Sequence, residues 1–364
     1  MALPDKLRFH VSTAYDFLFF PYKARNYDSY LKELEEPPLD GRIKPDDTIM
    51  NWVSLFNEKV SDNIDELLSL FFDEEAFFGL CTMQEISQGD IPDASTFMDY
   101  ISEMPAREIL RRFLYSGYGP RGGQAIPDEL LDRLLRNENE LLEFVTKKMS
   151  FPSRQKAVLF EFFSDPEEMK VKYQFFLEWF YNEMYKTIEP MIRKKLPVIK
   201  KSFEDFLMKE GERGLEKISW YAVGKEGTRQ KEITLAVAYS LETERANASL
   251  PGGNELLVIC GASLLEKLSI DKDPQLLATE VFKALSDPIK LEMLKLISKK
   301  PLTGNELAEV MKQTNMVISH SLMDLRAAGL VRYKINENDM TVYSTDRAFV
   351  ENKIEQALET VFKT

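Results

Sequence analysis

From Thr48 to about Gly211 the apolar residues recur three and four apart, the spacing that lines one face of an α-helix. Thr48–Phe72 is expected as helix, with Leu67, Leu68, Leu70 and Phe71 on its apolar side. Ala106–Leu114, Pro127–Met149, Ser153–Phe163 and Pro166–Ile188 repeat the pattern, separated by Pro, Gly and Ser. Ahead of them, Leu7–Val11 alternates like a short strand, and Ser12 is placed to cap an aromatic-rich helix that Pro21 should end or bend. Pro37-Pro38 and Gly41–Pro45 mark a loop.

The period changes after Gly214. Ile218–Val223, Glu232–Ser240 and Leu256–Cys260 are rich in β-forming residues, with turn material at Gly224–Gly227 and Pro251-Gly252-Gly253. A small antiparallel sheet is expected there. If the strand at Leu7 joins it, the two ends of the segment up to about residue 265 meet in one domain. Ile270–Pro274 is a short polar connection to the last ninety or so residues. The expected fold is α+β, mainly α with small β elements: a helical domain over residues 1–270, then a separate unit over residues 275–364.

Local signals are densest in that second unit. Gln275–Leu285 has a helical pattern, and Ser286-Asp287-Pro288 restarts it with a cap followed by proline at the first helical position. Thr303 with Glu306 three residues on spells a capping box, opening a short helix that ends near Lys312-Gln313. Thr314 is placed to cap a second helix from about Asn315 to Ala328, stopped by Gly329 where a left-handed residue is wanted. Two helices joined by a tight turn are a helix-turn-helix, whose second helix enters the DNA major groove. Val317, Ile318, Leu322 and Leu325 should point inward, leaving Asn315, Met316, Ser319, His320 and Met323 to the groove. Leu330–Ile335 and Met340–Ser344 read as a hairpin around Asn336–Asp339, a wing that carries Arg332 and Lys334. Asp346–Phe362 closes the chain as a helix with an apolar stripe suited to a dimer interface.

Net charge first argues against nucleic acid, at −13 over 364 residues. The excess acid lies before Gln275, however, because Gln275–Thr364 holds 12 basic and 12 acidic residues, and Lys283–Lys334 holds 9 against 5. DNA binding is therefore expected in the tail. No apolar run approaches the length of a membrane span, and the first ten residues are polar where a signal peptide would be apolar, so the expected compartment is the cytoplasm. Two cysteines, Cys81 and Cys260, are too few for a disulfide framework or a four-cysteine zinc site.

Four motifs in order, Ala284–Pro288, Leu302-Thr303 with Glu306-Leu307-Ala308, Ile318-Ser319-His320, and Leu325-Arg326 with Ala328–Val331, resemble the arsenic-repressor (ArsR-type) winged-helix family. The resemblance covers Gln275 to about Ser344, and the long segment ahead of it is similar to that of the larger family members. It implies a bacterial transcription regulator that binds a pseudo-palindromic double-stranded operator as a homodimer. Its DNA-contacting residues would be Thr314, Asn315, Met316, Ser319, His320, Met323, Arg332 and Lys334. Where cysteine-bearing members hold metal, this chain has Thr303, Asn305 and Ala308, and its last helix has no histidine. Metal sensing is therefore not expected, and no cofactor is implied.

The amino-terminal domain is expected to sense a small ligand or a protein partner without covalent chemistry. The alternative is an enzyme or metabolic effector with an accessory winged helix. Its support is thin: His10 has no cysteine or carboxylate spaced beside it, and no catalytic set is evident. Gly117–Gly123 resembles a phosphate loop but lacks the Lys-Ser/Thr ending. The aromatic run from Tyr173 to Tyr185 could line a cavity, yet its helical spacing favours core.

Overall fold

A strand enters first in the computed structural model, which describes residues 7–36, 39, 41–73, 77–118, 128–148, 153–219, 232–248, 255–270, 274–313, 315–335 and 341–362. This strand, β1 (Leu7–His10), leads into α1 (Ala14–Arg25), α2 (Tyr27–Glu35), α3 (Asp47–Lys59) and α4 (Asp62–Phe72). Next come α5 (Met83–Gln88), α6 (Ala94–Glu103), α7 (Ala106–Tyr118), α8 (Asp128–Leu134), α9 (Glu138–Lys148), α10 (Ser153–Ser164) and α11 (Pro166–Phe180). One π-helical turn joins α11 to α12 (Lys186–Glu210), and α13 (Glu212–Ser219) completes the helical run. Strands β2 (Glu232–Ala238), β3 (Arg245–Ala248) and β4 (Glu255–Gly261) precede α14 (Leu264–Ile270).

Several local expectations change in this setting. Pro21 neither ends nor interrupts α1, whose residues from Ala14 to Pro21 are all buried. Burial on every side offsets the roughly 3 kcal/mol that an internal proline costs a helix. Thr48–Phe72 is two helices, because Val60 and Ser61 are extended and let each half turn its own apolar side, Ile49, Val53 and Phe56 or Ile64, Leu68 and Phe71, onto the core. Ile218 and Ser219 end a helix instead of starting a strand. The remainder of that expected strand, Trp220–Val223, lies outside the described residues, as does most of the Gly117–Gly123 loop. The aromatic run is core: Tyr173, Phe176, Phe180, Met184 and Tyr185 are buried, and Phe180 stacks on Phe17 and Phe20. The π turn at Tyr181–Tyr185 aims the Tyr185 hydroxyl inward to donate to the Thr13 carbonyl at 2.5 Å.

The first sheet has the order β1-β2-β4-β3. Leu7–His10 does pair with a late strand, in register with Ile233–Ala236. Antiparallel pairing, however, is confined to β3 on β4, while β1, β2 and β4 run parallel. Parallel neighbours need long crossovers, and the helices between β1 and β2 supply one. Gly261, ending β4, is required by a close approach: a Cβ there would sit 2.2 Å from the Glu242 carbonyl oxygen. A continuous apolar core runs from Ala14 to Leu268 through these layers.

A second core, from Ala278 to Ala357, belongs to the tail. Its elements are α15 (Pro274–Ser286), α16 (Pro288–Ile297), β5 (Leu302–Thr303), α17 (Gly304–Met311), α18 (Asn315–Ala327), β6 (Arg332–Ile335), β7 (Thr341–Ser344) and α19 (Arg347–Phe362). The three strands pair antiparallel in the order β5-β7-β6. No described helix is long and apolar enough to cross a membrane.

Candidate nucleic-acid interface

Short-range chemistry sets each turn of the tail. The Asp287 carboxylate accepts from the Ile289 and Lys290 amides at 2.8 and 3.2 Å, starting α16 behind Pro288. The capping box of α17 is complete: the Glu306 amide donates to Thr303 Oγ1 at 3.2 Å, and Glu306 Oε2 accepts from the Thr303 amide at 2.7 Å. Those hydrogen bonds hold the Glu306 carboxyl below its usual range. Lys312 adopts a left-handed conformation, φ +54°, and turns the chain from α17 towards α18. Gly329 does the same after α18, at φ +65°, and the Leu330 amide closes the cap on the Leu325 carbonyl at 2.9 Å.

Helix α18 has two unlike sides. Ile318, Leu322 and Leu325 are buried with Leu307, Met293 and Ile297, whereas His320 and Met323 are exposed and Ser319 is half-buried. Asn315 and Met316 occupy the first turn of α18 and Lys334 lies in β6, but their side chains fall outside the described residues, as does Thr314 altogether. The structure thus brings Ser319, His320 and Met323 onto one helix. Arg332 stands apart on the wing: its guanidinium pairs with Asp346 at 2.7 Å and lies 4.1 Å from the Phe349 ring centre.

Two further residues support this surface. Lys290, nearly buried, reaches from α16 to Asp324 on α18 at 2.5 Å. Arg326 stacks on Tyr333 at 4.1 Å, joining α18 to the wing. Sequence periodicity marks Lys290 and Arg326 only as polar positions, because their partners are thirty-odd and seven residues away in the chain.

Elsewhere, the described residues bring no three His, Cys, Asp or Glu side chains together as a metal-holding group. Burial pushes the thiols of Cys81 and Cys260 up, the latter to about 12. His10 does gain a carboxylate through the fold: its ring nitrogens meet the Tyr15 hydroxyl at 3.0 Å and Asp90 at 3.3 Å. Burial lowers the His10 pKa, and Tyr15 is fully enclosed, so this chain of contacts offers no accessible nucleophile.

A helix-turn-helix followed by a β-hairpin is the winged-helix class. Residues 287–333 match the family described as bacterial regulatory protein, arsR family, and they carry an ArsR-type helix-turn-helix. The chain is also similar to a transcriptional repressor SmtB homolog of Synechocystis sp., with 35% identity over 69 residues, 19% of this chain and 51% of that protein. It thus spans about half the length of that curated relative. No solved structure matches the chain.

Proposed function

We propose that the chain is a transcription regulator that binds double-stranded operator DNA through α18 and the wing. The carrying observation is the coincidence of the arsR-family match with a two-sided α18, its buried side packed on α16 and α17 and its polar side open at His320. Asn315, Ser319 and His320 read base edges in this proposal, Met316 and Met323 meet thymine methyl groups, and Thr314 joins them as a DNA-contacting residue. Arg332 and Lys334 hold phosphates from the wing, Arg332 exchanging Asp346 for the DNA backbone.

The regulator acts as a homodimer. Helices α15 and α19 pack together and leave Leu277, Leu358, Val361 and Phe362 exposed, Phe362 at 77%, which a second copy would cover. The amino-terminal helices and sheet serve as a sensing or partner-binding domain that performs no covalent chemistry, and metal is not the signal. A gel-shift assay with the gene's own upstream DNA tests the central reading. Binding must prefer that DNA over a scrambled duplex, and replacing Asn315, Ser319 and His320 together must abolish the preference. Equal binding to both duplexes refutes the proposal.

A further inference from the structure

Helix α12 carries the opposite charge to the domain it belongs to. Because the tail holds equal numbers of basic and acidic residues, the whole net charge of −13 falls on the residues before Gln275. Within α12, however, the stretch from Lys186 to Lys201 holds six basic residues and one acid, Glu189. Packing sorts these charges by side. Ile188, Ile192, Leu196, Phe203 and Leu207 face the core. At about 100° per residue, the opposite face collects Lys186, Arg193, Lys194, Lys201 and Lys209, all exposed.

Neutralisation on that face is incomplete. Arg193 meets Asp93 and Glu189 at 3.3 and 3.6 Å, and Lys201 meets Asp205 at 2.8 Å. Lys186, Lys194 and Lys209 form no ion pair with any described residue. A single unpaired lysine is ordinary solvated surface. Three on one face, alongside Arg193 and Lys201, leave a positive strip on a domain that is otherwise acidic.

The strip has the length of a DNA contact and ends beside the wing. From Lys186 to Lys209 the helix rises about 35 Å at 1.5 Å per residue, roughly one turn of duplex. Glu210, at the end of α12, holds Lys217 of α13 at 2.8 Å, and Arg245 of β3 donates to the Ile218 carbonyl of α13 at 2.8 Å. The charges of Arg245 and of Glu216 on α13 act in turn on Tyr333 of the wing. Salt at about 0.15 M limits charge effects to about 8 Å, so phosphates repel whichever acidic face comes that near and accept only a basic one.

We propose that the exposed face of α12 docks on the phosphate backbone of the duplex flanking the operator half-site, continuing the contact made by the wing. Lys186, Lys194 and Lys209 meet phosphates directly, and Lys201 exchanges Asp205 for the DNA backbone. No base is read there, because phosphate contacts position a protein without carrying sequence information. The proposal rests on operator binding by α18 and adds to it a second, sequence-independent contact.

The test measures the full chain and its Lys186→Gln/Lys194→Gln/Lys209→Gln variant on duplexes of two lengths, by fluorescence anisotropy at several salt concentrations. The short duplex is the minimal protected segment of the upstream DNA, and the long one adds about ten base pairs of scrambled sequence on each side. Fully scrambled duplexes of both lengths are run beside them. Parent affinity should rise about 10- to 100-fold with length, and the slope of log affinity against log salt should steepen by about three units per flank. The triple variant should lose both gains while keeping its affinity for the short duplex. Lys147→Gln/Lys170→Gln/Lys172→Gln, the same charge change on α9 and α11, should retain them. Melting curves check that each variant is folded; should the triple variant fail to fold, Lys194→Gln carries the test, with about one unit of slope lost. Length-independent binding by the parent overturns the proposal, as do gains retained by the folded triple variant. Binding to phosphatidylglycerol vesicles that the triple variant loses, with no effect of duplex length, also overturns it and assigns the face to an anionic membrane. Sequence-specific binding without a length effect removes this proposal alone, whereas a length effect through these lysines without sequence preference supports it and removes only the regulator reading.

Discussion

Replacing Leu325 and His320 by alanine, one at a time, separates the two sides of α18. Leu325 is completely buried among Leu307, Leu322 and Leu330, so Leu325→Ala removes apolar contacts and leaves a cavity. The cost is about 2–5 kcal/mol, a large part of the roughly 5–15 kcal/mol that holds a domain together. His320 is exposed, and its truncation should change stability by less than about 0.5 kcal/mol. On DNA the order reverses in kind. His320→Ala should lose about 1–3 kcal/mol of discrimination at a single operator position while binding other sequences nearly as before. Leu325→Ala should weaken every sequence together, through loss of the folded population. Melting curves followed by fluorescence anisotropy on the operator and on its single-base variants read both effects. If His320→Ala destabilises the fold as much as Leu325→Ala, or leaves every base preference intact, the assignment of sides to α18 is wrong.

Single contacts elsewhere carry their own consequences. Asp16 is fully buried, and desolvation raises its carboxyl to about 6 although the Ser240 and Tyr239 amides donate to it. The folded chain therefore keeps a proton that the unfolded chain has already lost, so Asp16's contribution falls as pH rises from about 4 to about 6, by on the order of 3 kcal/mol. Denaturant titrations of Asp16→Asn across that window should lack this slope; a parallel pH profile to the parent refutes it. Lys334→Ala should reduce the slope of log affinity against log salt by about one unit, whereas Asn315→Ala should leave it unchanged, as measured by titrations at several salt concentrations. Val361→Asp places a charge on the exposed stripe of α19 and should weaken self-association about 10- to 100-fold in sedimentation equilibrium, with no effect if that face is solvent-exposed in the functional protein.

What the amino-acid sequence determined by itself is whatever closes within a few residues. Asp287 with Pro288, Thr303 with Glu306, and Gly329 are each complete instructions, because a cap or a left-handed turn is satisfied by neighbours in the chain. Their succession spells the helix-turn-helix and its wing, and helical periodicity alone assigns Ile318, Leu322 and Leu325 to the core. Periodicity cannot say which strands meet or in which direction. The parallel register of Leu7–His10 on Ile233–Ala236 depends on the helices packed between them. The polar edge strand β3, Arg245–Ala248, is recruited by β4 without strong β-forming residues of its own. Pro21 defies its local expectation for the same reason: enclosure by the core outweighs the local penalty. The pairings of buried Lys23 with Glu242 and Glu244, and of His10 with Asp90, likewise join residues tens to hundreds apart in the chain. Charges separated that far along the chain acquire their meaning only when tertiary packing removes water from between them.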